Sequence, residues 1–214
     1  MSNPVTEKNA GPKPRLGREE RQQHILNAAL RCVRRSGFHG ASMSDIAAEA
    51  KMSVGVIYRY FANKEAIVEA IVASDLAEMR AMFAEWEVVP DEALLDTLLD
   101  TLERAVEHKY TRDNAGLALE VLAEAARNPR VADIVERADA QERDLGRSLC
   151  GRISPGRDPV LLAARGEIIS MIFDGMMIRA ISNPEVDRKV LLAALRQVMA
   201  VLFTLPDQPV PEFT

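Results

Sequence analysis

The segment from Ser42 to Lys64 is rich in hydroxyl, cationic and small side chains. Hydroxyls and cations bind the phosphates of nucleic acids, and small or apolar side chains at the start of a helix can reach base edges in the major groove of DNA. We therefore interpret this segment as a DNA-contacting surface. Its candidate residues are Ser42, Lys51, Ser53, Val54, Gly55, Tyr58, Arg59, Tyr60 and Lys64.

The candidates differ in the part of DNA that they suit. Val54 can contact a thymine methyl group, and Gly55 lets the backbone come close to the bases. Arg59 can read a guanine with two hydrogen bonds or hold a phosphate. Tyr58 and Tyr60 offer hydroxyls to phosphates, although both also fit the aromatic core of a small domain, and the two roles are compatible.

Charge is distributed unevenly along the chain. Residues 1–65 contain eleven Lys and Arg against six Asp and Glu, a formal charge of +5, whereas residues 66–214 hold 16 basic and 26 acidic residues, a formal charge of −10. A basic segment on an acidic body fits contact with a polyanion, although a chance distribution of solvated charges gives the same pattern.

The sequence lacks the common patterns of catalytic and metal-binding residues. His24, His39 and His108 are scattered over different predicted elements, and no GxSxG, HExxH or phosphate-binding glycine loop occurs. Cys32 and Cys150 lie far apart without metal-ligand spacing, and we expect both to be small buried residues. We expect no enzyme activity, no metal and no cofactor.

Residues that typically start or stop helices predict where the helices lie before and at the beginning of the candidate DNA-contacting segment. We expect a first helix to begin at about residue 18 and to stop at Gly37. Ser42, with an acid three residues later at Asp45, then predicts a capped short helix over about 43–50.

Two further caps complete this unit. Ser53 is expected to cap a second short helix over about 54–61, and Asn63 is expected to cap a helix of about 23 residues. Two short helices joined by a tight turn form a helix-turn-helix, which predicts a DNA-binding domain over residues 17–63.

Prolines separate the remaining predicted helices, because proline is tolerated in the first turn of a helix but not in its interior. Apolar residues recur every three to four positions over 91–110, 115–126, 130–150, 158–182 and 185–205. With 5% aromatic residues and almost no alternating strand pattern, the chain is predicted to be all-α, with a second domain over 64–205 and tails over 1–16 and 206–214.

Composition gives an expectation about location. The 214 residues are 48% hydrophobic and 28% charged, and no apolar run approaches the roughly 20 residues of a membrane-spanning helix. The first residues lack the apolar centre of a secretory signal. We therefore expect a cytoplasmic protein that does not bind membranes.

Two runs of the sequence closely resemble the signature of the TetR family of bacterial transcriptional regulators. They are GFHGASMSDIA, which starts at Gly37, and MSVGVIYRYFANKE, which starts at Met52. The resemblance implies a homodimer of helical subunits, each with an N-terminal helix-turn-helix. It also implies that the last two long helices of each subunit form a four-helix bundle, and that a ligand bound in the C-terminal domain releases the DNA.

The resemblance also assigns DNA contacts to individual residues. The positions that contact DNA in the family pattern are occupied here by Ser42, Val54, Gly55, Tyr58, Tyr60 and Lys64. The sequence departs from that pattern at Lys51, where the family usually has glycine. Lys51 must therefore tolerate the backbone of the turn, and it adds a cation beside the DNA.

The last two predicted helices are the most apolar part of the chain. Helices of this kind are either central in a core or form a bundle between subunits. The candidate dimer-interface residues are Leu161, Ile168, Ile172, Met176, Leu191, Leu195, Val198 and Leu202.

Apolar residues interrupted by polar ones predict a small-molecule pocket in the second domain, although ordinary core packing explains the same pattern. The candidate lining residues are Met79, Phe83, Trp86, His108, Tyr110, Leu117, Glu120, Met171, Phe173 and Met176. Many of these are methionines or aromatics, which favours a hydrophobic effector.

We therefore predict a homodimeric repressor that binds a palindromic double-stranded DNA operator and leaves it when a hydrophobic small molecule binds. Two alternatives remain open from the sequence. One is a helical scaffold whose N-terminal domain binds a protein, and the other is a DNA-binding dimer whose second domain binds no ligand.

Overall fold

The computed structural model describes residues 17–206, apart from the side chains of His108 and Lys109. Within this range the chain is all-α, as predicted, with nine helices and no strand. The helices are α1 (Arg18–Gly40), α2 (Met43–Glu49), α3 (Val54–Ile57), α4 (Lys64–Glu87), α5 (Asp91–Lys109), α6 (Arg112–Ala125), α7 (Pro129–Ile153), α8 (Pro159–Ser182) and α9 (Arg188–Thr204). The tails expected over 1–16 and 206–214 lie outside the described residues, apart from Pro206.

Gly37 interrupts α1 near its end. Its φ of 72° and ψ of 165° are not helical, so the helix breaks there although it is assigned as far as Gly40. Glycine reaches a positive φ without the clash that a Cβ atom would cause. The expected stop is therefore present as a break within the helix.

Side-chain caps fix the starts of several helices. Asn63 accepts a hydrogen bond from the N–H of Ala66 at the start of α4, which confirms the predicted cap. At α3 the outcome differs, because Ser53 holds the cap position but its side chain makes no capping hydrogen bond. The expected run of helix after Ser53 is also shorter, since α3 ends at Ile57.

Prolines begin two of the helices, as their spacing predicted. Pro129 and Pro159 occupy the first turns of α7 and α8, where a missing N–H breaks no helical hydrogen bond. The preceding Asn128 and Asp158 accept hydrogen bonds from N–H groups of those first turns.

One apolar core joins α1, α2, α3 and the first half of α4, which we call the head. Ile25, Ile46, Ile57 and Ile67 are buried at its centre. Cys32 is fully buried in the same core, as expected from its sequence context. Val121 of α6 and Val131 of α7 also belong to this core, so the head is packed directly on the helices that follow it.

A second core lies among the second half of α4 and helices α5 to α9, which we call the body. Trp86, Leu94, Leu102 and Met199 are among its buried residues. Within the body, α5 packs on α9, and α6 packs on α7 and α8. Helix α4 contributes Ile67 to the head core and Trp86 to the body core, so a single helix connects the two.

No helix in the described part of the chain is long and apolar enough to cross a membrane. The same residues include no group of three or more His, Cys, Asp or Glu side chains placed to hold a metal ion.

Candidate nucleic-acid interface and ligand cavity

Helix α3 has one buried face and one exposed face. Ile57 is fully buried, and Phe61, just beyond the helix, is 3% exposed. Val54, Gly55 and Tyr58 face solvent on the other side. This division anchors the short helix by its apolar side and leaves its N-terminal residues free to contact another molecule.

Most of the predicted DNA-contacting residues are exposed to solvent. Seven of them are exposed, namely Ser42, Lys51, Ser53, Val54, Gly55, Tyr58 and Arg59. A Cβ atom added to Gly55 would meet no other atom within 4 Å, so its backbone is open to a close approach. Tyr60 is half-buried and packs against the head core, which fits the second role expected for it.

Lys51 lies in the turn between α2 and α3 with a φ of 54°. It is the only residue other than glycine with a positive φ in the described range. The turn is closed by hydrogen bonds from the N–H of Lys51 to the carbonyl of Ala48 and from the N–H of Met52 to the carbonyl of Ala47, at 3.1 and 2.9 Å. Lys51 therefore adopts the backbone conformation that a glycine would favour.

Ser42 and Asp45 form the predicted capping box at the start of α2. The N–H of Asp45 donates to Oγ of Ser42 at 3.1 Å, and the N–H of Ser42 donates to Oδ2 of Asp45 at 2.9 Å. The Ser42 hydroxyl also donates to Oδ2 of Asp45. These bonds hold the pKa of the Asp45 carboxyl below its usual value, because they stabilise its charged form.

Lys64 has a role inside the head that its sequence position did not indicate. Its Nζ donates to the carbonyl oxygens of Phe38 and Ala41 at 2.6 and 2.9 Å, with that of His39 at 3.4 Å. It also lies 4.5 Å from the centre of the Phe38 ring. Lys64 thus caps the C-terminal end of α1, where free carbonyls favour a cation.

Glu49 of α2 forms hydrogen bonds and ion pairs with two arginines of α1. Its carboxylate accepts hydrogen bonds from Nε of Arg31 at 2.7 Å and from the guanidinium of Arg35 at 3.2 Å. The two guanidinium groups lower the pKa of Glu49, with the hydrogen bond from Arg31 as the main cause. Arg31 and Arg35 therefore serve the packing of the helix-turn-helix.

The cations beside α3 are placed differently. Lys51 and Arg59 are exposed and form no ion pair with any residue from 17 to 206. Lys51 precedes α3 and Arg59 follows it, so an exposed cation without an ion pair lies in the chain on each side of this helix. Cations in these places are suited to phosphates.

Glu120 of α6 lies at the junction between head and body. Its Oε2 accepts a hydrogen bond from the backbone N–H of Phe38 at 2.9 Å. A Cβ atom on Gly37 would lie 3.1 Å from the same oxygen. Leu117, one turn earlier on α6, packs against the head core. Both residues were predicted to line a ligand pocket, and the structure places both against the head.

A cavity of about 320 Å³ lies between α4 and α7 and is open to solvent. Its lining residues on α4 are Arg80, Phe83, Trp86 and Glu87, and those on α7 are Gln141, Asp144, Leu145, Ser148, Leu149 and Arg152. Phe83 and Trp86 were predicted to line a pocket, and their ring centroids lie 4.9 Å apart in an edge-to-face arrangement.

The residues that sequence reasoning missed in this cavity share a simple spacing. Arg80 and Glu87 lie three residues before and four residues after the predicted Phe83 on α4, so all three lie on one face of the helix. Gln141, Leu145 and Ser148 have the corresponding spacing on α7. This signal was available in the sequence, but nothing in a single sequence indicates that these two faces meet.

The other predicted pocket residues lie elsewhere. Tyr110 is buried in the body core and its hydroxyl donates to the carbonyl of Asn183 at 2.9 Å. Met176 is buried and Phe173 half-buried in the same core, whereas Met79 is half-buried on α4. Met171 is 61% exposed on α8. The side chain of His108 lies outside the described residues.

Helices α8 and α9 carry a series of exposed apolar side chains, which we call the α8–α9 face. Its members are Val160, Ile168, Met171, Ile178, Ile181, Val190, Val198 and Val201. Of the predicted dimer residues, two are exposed on this face (Ile168 and Val198), four are half-buried (Leu161, Ile172, Leu191 and Leu202), and two are buried in the body core (Met176 and Leu195).

The chain matches two protein-family models. Residues 25–71 match the model for bacterial regulatory proteins of the tetR family, and residues 89–201 match the model for the tetracyclin repressor-like C-terminal domain. The two matches fall on the head with its first α4 turns and on most of the body.

Individual proteins with similar sequences or structures are also regulators. The HTH-type transcriptional regulator UidR of Escherichia coli is 32% identical over 114 residues, which are 52% of this chain and 55% of UidR, so the chain spans about half the length of this relative. The HTH-type transcriptional regulator BetI of Burkholderia thailandensis is 23% identical over 84% of this chain and 92% of BetI. The structure of Salmonella enterica GusR matches with a TM-score of 0.69 at 25% identity, covering 86% of this chain and 95% of GusR.

Proposed function

Since the chain belongs to the TetR family of helix-turn-helix transcriptional regulators, a family of DNA-binding proteins and not of enzymes, we propose that it is a homodimeric repressor of a palindromic operator. A small molecule bound in the body releases it from that operator. In this proposal residues 17–63 bind DNA, and residues 64–205 bind the effector and form the dimer.

The exposed face of α3 is the observation that carries the DNA-binding role. Val54 and Gly55 stand at the N-terminal end of the helix, where side chains reach base edges when such a helix enters the major groove. Lys51, Tyr58 and Arg59 surround them with groups that hold phosphates. Ser42 and Ser53 add exposed hydroxyls beside the same surface.

Lys64 contributes to this surface indirectly. Its ammonium holds the end of α1, and its backbone starts the helix that follows the DNA-contacting segment. We therefore assign Lys64 a positioning role, and a contact between its side chain and a phosphate would require it to leave these carbonyls.

The α8–α9 face supports the dimer. Met171 and Val198 are 61% and 47% exposed in the single chain, together with several neighbouring valines and isoleucines. Helices α8 and α9 contact each other, and each carries several exposed apolar side chains. Exposed apolar surface of this kind is typical of a protein interface. Two subunits that pair through this face form a bundle of four helices, and their two recognition helices then bind half-sites about 34 to 36 Å apart.

The cavity between α4 and α7 supports an effector-binding body. Its volume of about 320 Å³ is at the lower end of the usual range for small-molecule sites. Helix α4 runs from the DNA-binding head to this cavity, so a ligand that moves α4 against α7 alters the position of the head. This connection favours a ligand-responsive regulator over a dimer whose body binds nothing.

The test is selection of DNA by the purified full-length protein from fragmented DNA of its own genome at physiological salt. We expect one or a few palindromic sites among the retained fragments, since specific sites bind about 10³-fold or more tightly than other DNA. Retention of no site above the nonspecific background by the folded protein would contradict the proposal.

A variant and a matched control test whether the start of α3 determines the preferred DNA bases. We expect Val54→Thr to change the bases preferred in each half-site, because Val54 lies at the exposed start of α3. Val88→Thr is the control, since Val88 is exposed in the turn between α4 and α5 and should leave the selected sequence unchanged.

A further inference from the structure

We propose that the cavity between α4 and α7 binds an organic acid. Its carboxylate lies at Arg80, its apolar and preferably aromatic body lies over Phe83 and Trp86, and a hydrogen-bond donor at its far end faces Glu87. The inference rests on the proposed function and identifies the chemical class of the effector.

The apolar part of the cavity is built from aromatic and leucine side chains. Phe83 and Trp86 meet edge to face at 4.9 Å with an interplanar angle of 62°. Trp86 is held in place because its Nε1 donates to Oγ1 of Thr101 at 3.2 Å. Leu149 is nearly buried opposite them. A fixed pair of rings favours a flat apolar body that can stack or pack edge-on against them.

Two of the charged residues in the lining are neutralised within the protein. Arg152 donates from Nε to Asp91 at 2.8 Å, and its other nitrogens donate to the carbonyls of Trp86 and Val89. Asp144 accepts an ion-paired hydrogen bond from Arg147 at 2.7 Å. Neither Arg152 nor Asp144 therefore determines the charge of a ligand.

Arg80 and Glu87 remain to recognise a ligand. Arg80 donates to the side-chain oxygen of Gln141, a neutral partner across the cavity, and no ion pair of Arg80 occurs within residues 17–206. The Glu87 side chain has no hydrogen bond or ion pair to another residue of this range. A cation without a counter-ion and an anion without a counter-ion thus line one cavity.

The spacing of these two charges gives the ligand an orientation. Arg80 and Glu87 are seven residues apart on α4, which is two turns or roughly 10 Å along one face, and Phe83 lies between them. A carboxylate can replace the neutral Gln141 oxygen at Arg80 with a paired, charge-assisted contact. The same carboxylate is repelled by Glu87, so the opposite end of the ligand must carry the donor.

The test is calorimetric titration of the full-length protein with three compounds of one shape: 4-phenylbutyrate, its amide, and 4-(4-hydroxyphenyl)butyrate. We expect the amide to bind about tenfold or more weakly than the acid, since it lacks the charge-assisted contact with Arg80. We expect the phenol to bind more tightly than 4-phenylbutyrate, because its hydroxyl donates to Glu87.

Two variants separate the two ends of the site. Arg80→Gln should remove the difference between acid and amide, and Glu87→Gln should reduce only the difference between phenol and phenyl. Arg196→Gln is the control, because it removes an arginine that pairs with Asp100 elsewhere in the body and should change neither difference.

The inference is overturned if none of the compounds binds, if the acid binds no more tightly than the amide, or if Arg80→Gln keeps that difference. DNA selection without added compound, on the same preparations, keeps the two proposals distinct. Specific DNA binding without any acid preference refutes this inference alone, whereas acid binding without specific DNA binding refutes the repressor.

Discussion

Lys51 combines an unfavourable backbone conformation with an exposed cation. An L-amino acid with a Cβ atom in the left-handed region costs roughly 1 kcal/mol relative to glycine. Lys51 nevertheless occupies this region at a φ of 54°, in the turn that sets the angle between α2 and α3. Its side chain is exposed next to Ser53 and Val54. We infer that Lys51 is favourable for DNA binding because of its charge, although its backbone conformation lowers the stability of the folded protein.

Lys51→Gly and Lys51→Asn separate these two effects. Both remove one cation, so we expect each to lower the slope of log affinity against log salt by about one, with similar losses for specific and nonspecific DNA. Lys51→Gly should also raise the free energy of unfolding by about 0.5 to 1 kcal/mol, because glycine adopts the positive φ freely. Fluorescence anisotropy at several salt concentrations and urea unfolding measure the two quantities, and an unchanged salt slope would rule out the phosphate contact.

Individual contacts were predictable where they depend on neighbours in the sequence. The capping box of Ser42 and Asp45 depends on two residues only three positions apart in the sequence, and it is present as predicted. The position of Lys64 against the end of α1 is not, because its partners at Phe38 and Ala41 are more than 20 residues away. From the sequence alone, a lysine beside a helix-turn-helix is as well suited to a phosphate as to backbone carbonyls. Only the fold shows that its ammonium group lies against carbonyls.

Helices α1 and α6 contact each other at Gly37, where α1 breaks, and at Glu120, which accepts a hydrogen bond from α1. Gly37 has a positive φ, and Glu120 bonds the N–H of Phe38, which follows this break. The N–H group is thus satisfied by a side chain of the body instead of by its own helix. Head and body are therefore connected by a hydrogen bond in addition to shared apolar packing.

We expect Gly37→Ala to lower the free energy of unfolding by about 1 to 2 kcal/mol, because alanine is disfavoured at this φ. The added Cβ would also lie 3.1 Å from the Glu120 carboxylate. Chemical unfolding measures this loss, with Gly55→Ala as the control, since its Cβ would meet nothing within 4 Å.

The contribution of the contact with Glu120 can be isolated by repeating Gly37→Ala in a Glu120→Ala background. The loss should be smaller there if the two residues are coupled, since the close oxygen is absent. Equal losses in both backgrounds would show that only the backbone conformation of Gly37 matters.

Prolines, glycines and caps predicted the helix boundaries closely. They did not predict which other helix each helix face contacts. Pro129 and Pro159 start helices as their positions indicated. Glu120, between two apolar residues, was predicted to line a pocket, and its carboxylate instead accepts a hydrogen bond from a backbone N–H 82 positions away. The hydrophobic period gives the apolar side of a helix, but it does not specify which other helix covers that side.

The single chain leaves several apolar side chains of α8 and α9 exposed. Val190 and Met171 are 66% and 61% exposed, although both belong to helices whose other sides complete the body core. The sequence indicated that these helices have more apolar surface than one contact requires. It did not distinguish Met176 and Leu195, which pack inside the subunit, from Val198, which faces out.

Val198→Glu is expected to produce a monomer, because a carboxylate at the centre of an apolar interface would be buried without a partner. Sedimentation velocity should show the change in mass, and affinity for a full palindromic site should fall towards that of nonspecific DNA. Val88→Glu is the matched control, since Val88 is 86% exposed away from α8 and α9. A Val198→Glu protein that still sediments as a dimer would exclude this face as the interface.

The continuity of α4 has a geometric consequence for the proposed release of the operator. Its 24 residues extend over about 36 Å, from the head core to the cavity wall. A rigid rod of that length that tilts by about 5° at one end moves its other end by about 3 Å, close to the 3.4 Å rise between successive base pairs on one strand. An effector that tilts the cavity end of α4 by this small angle would therefore displace each recognition helix by almost the distance between two successive base pairs.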